Sequence, residues 1–381
     1  MKTKRKIKKI LFISGSRAEF FILEKIFKET SKHFDTKILL HAGHTQKKYG
    51  QLIYNIKKKI NNKRIITIKT NFGNSNKESQ IIKSFANQVD KIGKKLLFEK
   101  PSVVVLVGDR TETLAAASAS VICNIPIVHL HGGELSFGSM DEKLRHAISK
   151  LSSIHFVSHK IYKERLIQMG EDKSKIKIIG SPALLNYLNL KIDKLNFFKQ
   201  FGLMNKKYIL VCLNSYISKK ETDFFSNKMF NTLDKFDITK IVTYPNPDLY
   251  NKSIIENIEK RKSRKDYKIF KFLGSDYPKF LKYCNFLIGN TSSGIIEAPY
   301  FSKFFLNLGS RQEGREYSKK TTINLKINKQ NMFAIIKKTL KKRKIKSENL
   351  YFKKNCLKIF IQYLKKINLE ELNSKKFFDK I

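Results

Sequence analysis

The sequence predicts an α/β fold of two doubly wound domains, each a parallel sheet covered on both faces by helices. Three observations carry this. Short, continuous apolar runs rich in Val, Ile and Leu alternate with amphipathic helical patterns, as expected of strands buried on both faces. The alternation pauses after residue 182 and begins afresh near Lys207. A length of 381 residues is long for one compact core and comfortable for two.

In the first set, KKILFIS, TKILLHAG, RIITIKT, SVVVLVGD, IPIVHLHG, IHFVSH and KIKIIGSP read as strands. Between them EFFILEKIFKETSKH, ESQIIKSFANQVDKIGKKLLFEK, TETLAAASASVI and DEKLRHAISKL repeat apolar residues at helical spacing. The second set is YILVCLNS, KIVTYPN, YKIFKFLG, NFLIGN and FFLNLG, again with helices between. The stretch LLNYLNLKIDKLNFFKQFGLMNKK separates the two and puts the join between Pro182 and Leu190. Residues 1–185 then form an N-terminal domain and 186–381 a C-terminal one, the latter ending in basic helices beyond Asn331. Two such domains facing each other set a cleft at the carboxyl ends of both sheets, where ligands bind in open α/β folds.

Lys+Arg 77 against Asp+Glu 32 gives a formal net charge of +45, which suggests an anionic partner. The lysines are scattered through KTKRKIKK, IYNIKKKINNKR, KRKSRKDYK and KKTLKKRKIKSE, and they accompany heavy use of Asn, Ile and Phe and an absence of Trp. That profile is one of A/T-rich codons and solvated faces, which is the leading reading, and an anionic partner need be no more than a nucleotide substrate. Cys123, Cys212, Cys284 and Cys356 form no CxxC pair, so a reducing, cytoplasmic setting is expected. The leading run ILFI is shorter than the ~7–15 residues of a signal-peptide core, and no run approaches the ~18 of a transmembrane helix.

Four strand ends carry the chemistry. GSRAEF passes from strand to helix, and Arg17 adds a fork able to grip a phosphate. The motif is not GxGxxG, so no dinucleotide fingerprint is present. In VVVLVGDRTETLAAA, Asp109 ends a buried strand, where it is either a helix cap or a catalytic acid. In HLHGGELSFGSMDEKLRHAISK, His129 and His131 share a strand face. Gly132 and Gly133 permit a sharp turn before Glu134, and Asp141 lies one helical turn from Arg145. Several carboxylates and a His on one loop can separate acid from base. The rival reading, a metal site, lacks HExxH or similar ligand spacing. In IGNTSSGIIEAPYF, a cluster of small and hydroxyl residues opens a helix, with Ser292 and Ser293 suited to a diphosphate and Glu297 to ribose hydroxyls. Arg311 and Arg315 follow the next strand.

Taken together, GSRAE, HAGHTQKKYG, GDRTETLAAA, the HGGE stretch, IIGSPALLN, YPNPD, GNTSSGIIEAP and NLGSRQEGR resemble the hydrolysing UDP-N-acetylglucosamine 2-epimerases of sialic-acid biosynthesis. The resemblance implies a GT-B-like pair of Rossmann domains and a nucleotide-sugar substrate. It implies elimination of the nucleoside diphosphate to a 2-acetamidoglycal, then rehydration to a free manno-configured sugar. It demands no metal or redox cofactor, and it implies a homodimer or homotetramer. By motif it gives Asp109, Glu134 and Asp141 as catalytic carboxylates with His131 and Arg145 beside them. It gives Arg17, Ser292 and Ser293 as diphosphate contacts, Glu297 as the ribose contact and His44 as the motif histidine; Asn246 of YPNPD and Arg311 join the binding set. Two departures stand out. Asn214 in CLNS replaces the histidine of the family's FHP, and Phe137 replaces an acid that commonly follows HGGE. The same reaction on UDP- or GDP-linked N,N'-diacetylbacillosamine is the near alternative. A GT-B glycosyltransferase, or a basic nucleic-acid- or membrane-binding protein, is the distant one.

Overall fold

The computed structural model describes residues 6–46, 52–70, 78–188, 190–204, 206–246, 248–325, 331–342, 348–373 and 375–379. The KTKR start, the KKYG end of HAGHTQKKYG, the RKIKS portion of the last basic stretch and Pro247 of YPNPD lie outside the described residues. The chain folds as two compact units. The first comprises the described residues of Met1–Glu134, Asp141–Asn186 and Tyr351–Ile381, and the second those of Leu135–Met140 and Tyr187–Leu350.

The first unit runs β1 (Lys9–Ser14), α1 (Arg17–Thr30), β2 (Asp35–Leu40), α2 (Leu52–Lys57), β3 (Ile65–Thr67), α3 (Glu78–Glu99) and β4 (Val103–Val107). It continues through α4 (Thr111–Ile122), β5 (Ile127–Leu130), α5 (Asp141–Leu151), β6 (Ile154–Val157), α6 (Lys160–Gln168) and β7 (Ile176–Ile178). The seven strands pair in parallel in the order β3-β2-β1-β4-β5-β6-β7. Alternation along each strand divides the core. Ile10, Phe12, Val103 and Val105 enter one apolar layer, and Leu11, Ile13, Val104 and Leu106 enter the other.

The second unit holds α7 (Lys194–Gln200), β8 (Tyr208–Cys212), α8 (Lys219–Leu233), β9 (Thr239–Thr243), α9 (Lys252–Glu259), β10 (Tyr267–Phe270) and α10 (Tyr277–Tyr283). After these come β11 (Phe286–Gly289), α11 (Ser292–Ile296), β12 (Phe304–Leu308), β13 (Thr322–Leu325) and α12 (Met332–Leu340). Its six strands, also parallel, pair in the order β10-β9-β8-β11-β12-β13. Both units are thus Rossmann-like. β13 is an addition to the sequence reading, because TINL is short and half-polar.

One expectation is corrected. The helices at the end of the chain, α13 (Cys356–Lys366) and α14 (Glu370–Asn373), belong to the first unit, not the second. The buried face of α13, carrying Cys356, Phe360, Ile361 and Leu364, joins the core around β1 and β6, with the Phe360 ring 4.6 Å from that of Phe156. An amphipathic pattern specifies that a face must be covered, but not by which sheet.

Candidate active site

β1 and β4 are adjacent in the first sheet, and the strand order runs in opposite directions from them. This is the switch point at which open α/β sheets bind ligands. β4 ends in Gly108 and Asp109. Asp109 is not the cap of α4, since Arg110 occupies that position with no side-chain cap bond. The Asp109 carboxylate is instead bonded by Arg145 Nη2. Arg145, on the second turn of α5, is 1% exposed. Its Nη1 donates to Glu134 Oε2 at 3.2 Å and lies 3.5 Å from the His131 carbonyl oxygen. A surface ion pair is therefore excluded for Arg145: one buried guanidinium ties two carboxylates.

Glu134 is enclosed, with Oε1 2.6 Å from His131 Nδ1 and accepting from Ser158 Oγ at 2.7 Å. The Asp109 side chain keeps 19% of its surface, against 2% for Glu134. His131 takes the left-handed backbone conformation, φ 65°, a strain of about 1–3 kcal/mol that persists only where the surrounding structure holds it. The turn continues through Gly133, φ 72°, where a Cβ would lie 2.5 Å from the Tyr162 carbonyl oxygen. Asp141 opens α5 and is half-buried. His129 separates from this group. It is buried in the sheet, its Nε2 donates to Gly108 O at 2.8 Å, and burial pushes its pKa down to about 3.

At the end of β1, Ser16 caps α1 in a reciprocal box with Glu19. Glu19 Oε2 accepts from the Gly15 and Ser16 amides at 2.6 and 3.2 Å. Burial, then the Glu112 charge, pushes Glu19 up to about 7. Arg17 is half-buried on the first turn of α1. Ser14 Oγ donates to Ser16 O at 3.0 Å and accepts from His44 Nε2 at 2.9 Å. His44 is thus an interior residue, kept neutral by burial and then His41, with a pKa of about 3.

The second unit has the same switch point between β8 and β11. Asn214, beyond β8, donates its backbone N–H to Asn290 Oδ1 at 2.7 Å, and Asn290 Nδ2 returns a bond to Asn214 O at 2.8 Å. Asn214 Oδ1 accepts from the Asn246 amide at 2.9 Å, which leaves its NH₂ as a donor. Arg311 Nη1 and Gln312 Nε2 reach Asn290 O at 3.4 and 2.8 Å. Arg315 Nε donates to Leu135 O at 3.0 Å, fastening the 135–140 segment to this unit.

The Ser-rich loop opens a helix, as its sequence suggests. Helix α11 is only five residues long, Thr291 caps it, and Glu297 is its C-cap. The hydroxyl and carboxyl side chains therefore carry the local polarity, and not an extended helix dipole. Tyr277 OH bonds Ser293 Oγ, and Tyr187 OH donates to Glu297 Oε2. Burial raises the Glu297 pKa. Ser292 is half-exposed beside Ser293.

The structure thus joins Asp109, His131, Glu134 and Arg145 in one network, and Asn214, Asn246 and Arg311 in another around Asn290. Ser293 and Glu297 each bond a tyrosine, Tyr277 and Tyr187 respectively. The sequence reading did not single out Ser158, Asn290, Gln312, Tyr187 or Tyr277. A polar residue directly after an apolar strand was the available signal for Ser158 and Asn290. The tyrosines carry none, because each meets its partner only through the fold.

The family model for UDP-N-acetylglucosamine 2-epimerase matches residues 27–365. A hydrolyzing GDP/UDP-N,N'-diacetylbacillosamine 2-epimerase of Campylobacter jejuni is 34% identical, over 81% of this chain and 82% of its own. A hydrolyzing UDP-N,N'-diacetylbacillosamine 2-epimerase of Legionella pneumophila is also 34% identical, over 91% and 92%. Among solved structures, the UDP-GlcNAc 2-epimerase of Neisseria meningitidis bound to UDP-GlcNAc superposes with a TM-score of 0.75 at 18% identity, covering 93% of this chain and 99% of that one, which shows a shared fold. On the extent of the family match and of the two 34% relatives, the chain belongs to the UDP-N-acetylglucosamine 2-epimerase family.

Proposed function

We propose that the protein is a hydrolysing 2-epimerase acting on a nucleotide-activated 2-acetamido sugar. The observation that carries the reading is the Asp109–Arg145–Glu134 network at the carboxyl edge of the first sheet, with Asp141 opening the helix that bears Arg145. A base removes the C2 proton, the C1–O bond breaks, and the nucleoside diphosphate leaves, giving a 2-acetamidoglycal. Water then adds across the double bond. Hydroxide goes to C1 and a proton to C2 from the opposite face, yielding a free manno-configured sugar. Carboxylates of separate environment supply the base and the acid. Asp109 keeps exposed surface and is the better candidate to meet substrate. Glu134, held by His131, Ser158 and Arg145, orients its neighbours and shares the proton traffic. Arg17, Ser292, Ser293, Arg311 and the Asn214 NH₂ provide donors for the diphosphate, and Glu297 an acceptor for ribose hydroxyls.

Two substrates are in view. UDP-N-acetylglucosamine is the reading of the motifs. N,N'-diacetylbacillosamine on UDP or GDP gains from the 34% identity to the Campylobacter and Legionella proteins, against 28% to the UDP-N-acetylglucosamine 2-epimerase of Neisseria meningitidis. The test is incubation with each nucleotide sugar in D₂O, followed by NMR. Nucleoside diphosphate plus free manno-configured sugar, deuterated at C2, is expected from one of them. Diphosphate release without that sugar, or interconversion with the nucleotide still attached, would sink the reading.

A further inference from the structure

We propose that Phe137 and Met140 form the apolar surface that selects the sugar, favouring one with a 6-methyl and a 4-acetamido group over one with hydroxyls there. This rests on the 2-epimerase reading above. The segment from Leu135 to Met140 joins Glu134 to Asp141 and packs with the second unit. It is anchored by Leu135 O, which accepts from Arg315 Nε, and by Gly138, where a Cβ would lie 2.7 Å from the Arg311 backbone. Leu135 and the Phe137 ring both lie against Gly314, so the segment's backbone is fixed. Yet Phe137 is 54% and Met140 45% exposed.

Single exposed apolar residues are common and by themselves mean little. These two are distinguished by where the chain holds them. Three residues of extended backbone span at most ~11 Å and four at most ~14 Å. The Phe137 Cα is therefore tethered within about that reach of the Glu134 and Asp141 Cα atoms, whatever the disposition of the two units. A sugar processed by those carboxylates lies within reach of a ring and a thioether that offer no hydrogen bond. Such a surface rewards a methyl and the methyl of an acetamide. It leaves 4- and 6-hydroxyls desolvated without partners.

Steady-state kcat/KM and calorimetric Kd are to be measured for UDP-N,N'-diacetylbacillosamine and UDP-N-acetylglucosamine on the full chain, F137S, F137L and M140S. The expected result is a preference for the trideoxy sugar that falls about tenfold in F137S. It falls less in M140S and survives in F137L. An unchanged ratio in F137S and M140S overturns the proposal, as does a wild-type preference for UDP-N-acetylglucosamine. If F137S does not fold, the M140S ratio decides. Should the wild type turn over neither of these nucleotide sugars, nor GDP-N,N'-diacetylbacillosamine, the epimerase reading falls, and the Kd ratio alone judges this proposal; binding of none of the three overturns both.

Discussion

Arg145 bonds Asp109 through Nη2 and Glu134 through Nη1, so a single buried guanidinium fixes the spacing of two carboxylates that leave different strands. Removing it leaves both acids without their shared cation. Arg145→Met should cost about 3–5 kcal/mol of stability, the usual loss when one partner of a buried ion pair is deleted. Arg145→Lys keeps the charge but cannot fork, and should lower kcat about 100-fold or more with a smaller change in Tm. Thermal unfolding and steady-state kinetics on the two variants check this. A Met variant as stable as wild type would show that the network is dispensable to the fold.

The three carboxylates should separate by environment. Asp109→Asn and Asp141→Asn are expected to reduce kcat by about 10³-fold while the UDP affinity stays within a few-fold. Glu134→Gln should also nearly abolish turnover, but with a lower Tm, because an amide offers one acceptor atom where the carboxylate serves His131, Ser158 and Arg145. Calorimetry with UDP separates binding from chemistry. Wild-type rates in any one variant would remove that residue from the mechanism.

Much of this was legible beforehand, because parallel strands buried on both faces leave unbroken apolar runs, and their ends announce the site. VVVLVGD and IPIVHLHG point to Asp109 and His131 by that rule alone. What escaped depends on long-range closure. Arg145 reads locally as the partner of Asp141 four residues away, and no local pattern announces that the fold pairs its guanidinium with Asp109 and Glu134, 36 and 11 residues back. The return of α13 to the first core, and the helix after Thr291 ending within five residues, are likewise decided by packing that no local pattern encodes.

Stability should fall on mild acidification, through neutral buried histidines. Burial holds His41, His44 and His129 at about 3, well below the ordinary value near 6.5. The unfolded chain thus binds more protons. The stability from these groups is complete above pH 6.5 and is lost as pH drops toward 3. At pH 5.5 each costs on the order of 1 kcal/mol relative to pH 7.5. Glu19, raised to about 7 by burial and then Glu112, acts in the opposite sense, since protonating it relieves a buried charge. One such group returns roughly 2 kcal/mol over the same interval, so the three histidines together prevail. His129→Gln retains a donor for Gly108 O without a titrating ring, and should flatten the fall in Tm between pH 7.5 and 5.5. An equally steep fall in that variant would shift the effect to other groups.

Lys375 should matter to α5, the helix that bears Asp141 and Arg145. Lys375 Nζ lies 2.6 Å from the carbonyl oxygens of Lys150 and Ser152 and 3.3 Å from that of Ser149, capping the carboxyl end of α5. It also pairs with Glu171 at 2.8 Å, a carboxylate that takes His155 and Lys150 as well and is held at about 2. A cation at this position satisfies carbonyls that the helix cannot pair itself and complements the negative end of its dipole. Lys375→Met strips those bonds while keeping the aliphatic stem, and should cost about 1–3 kcal/mol, read as a lower Tm. Because Asp141 and Arg145 ride on the same helix, kcat should drop further than KM rises. Lys375→Arg should recover most of both, since a guanidinium also donates to carbonyls and to Glu171. If the Met variant unfolds at the wild-type temperature, those bonds are worth no more in the folded protein than their counterparts in water.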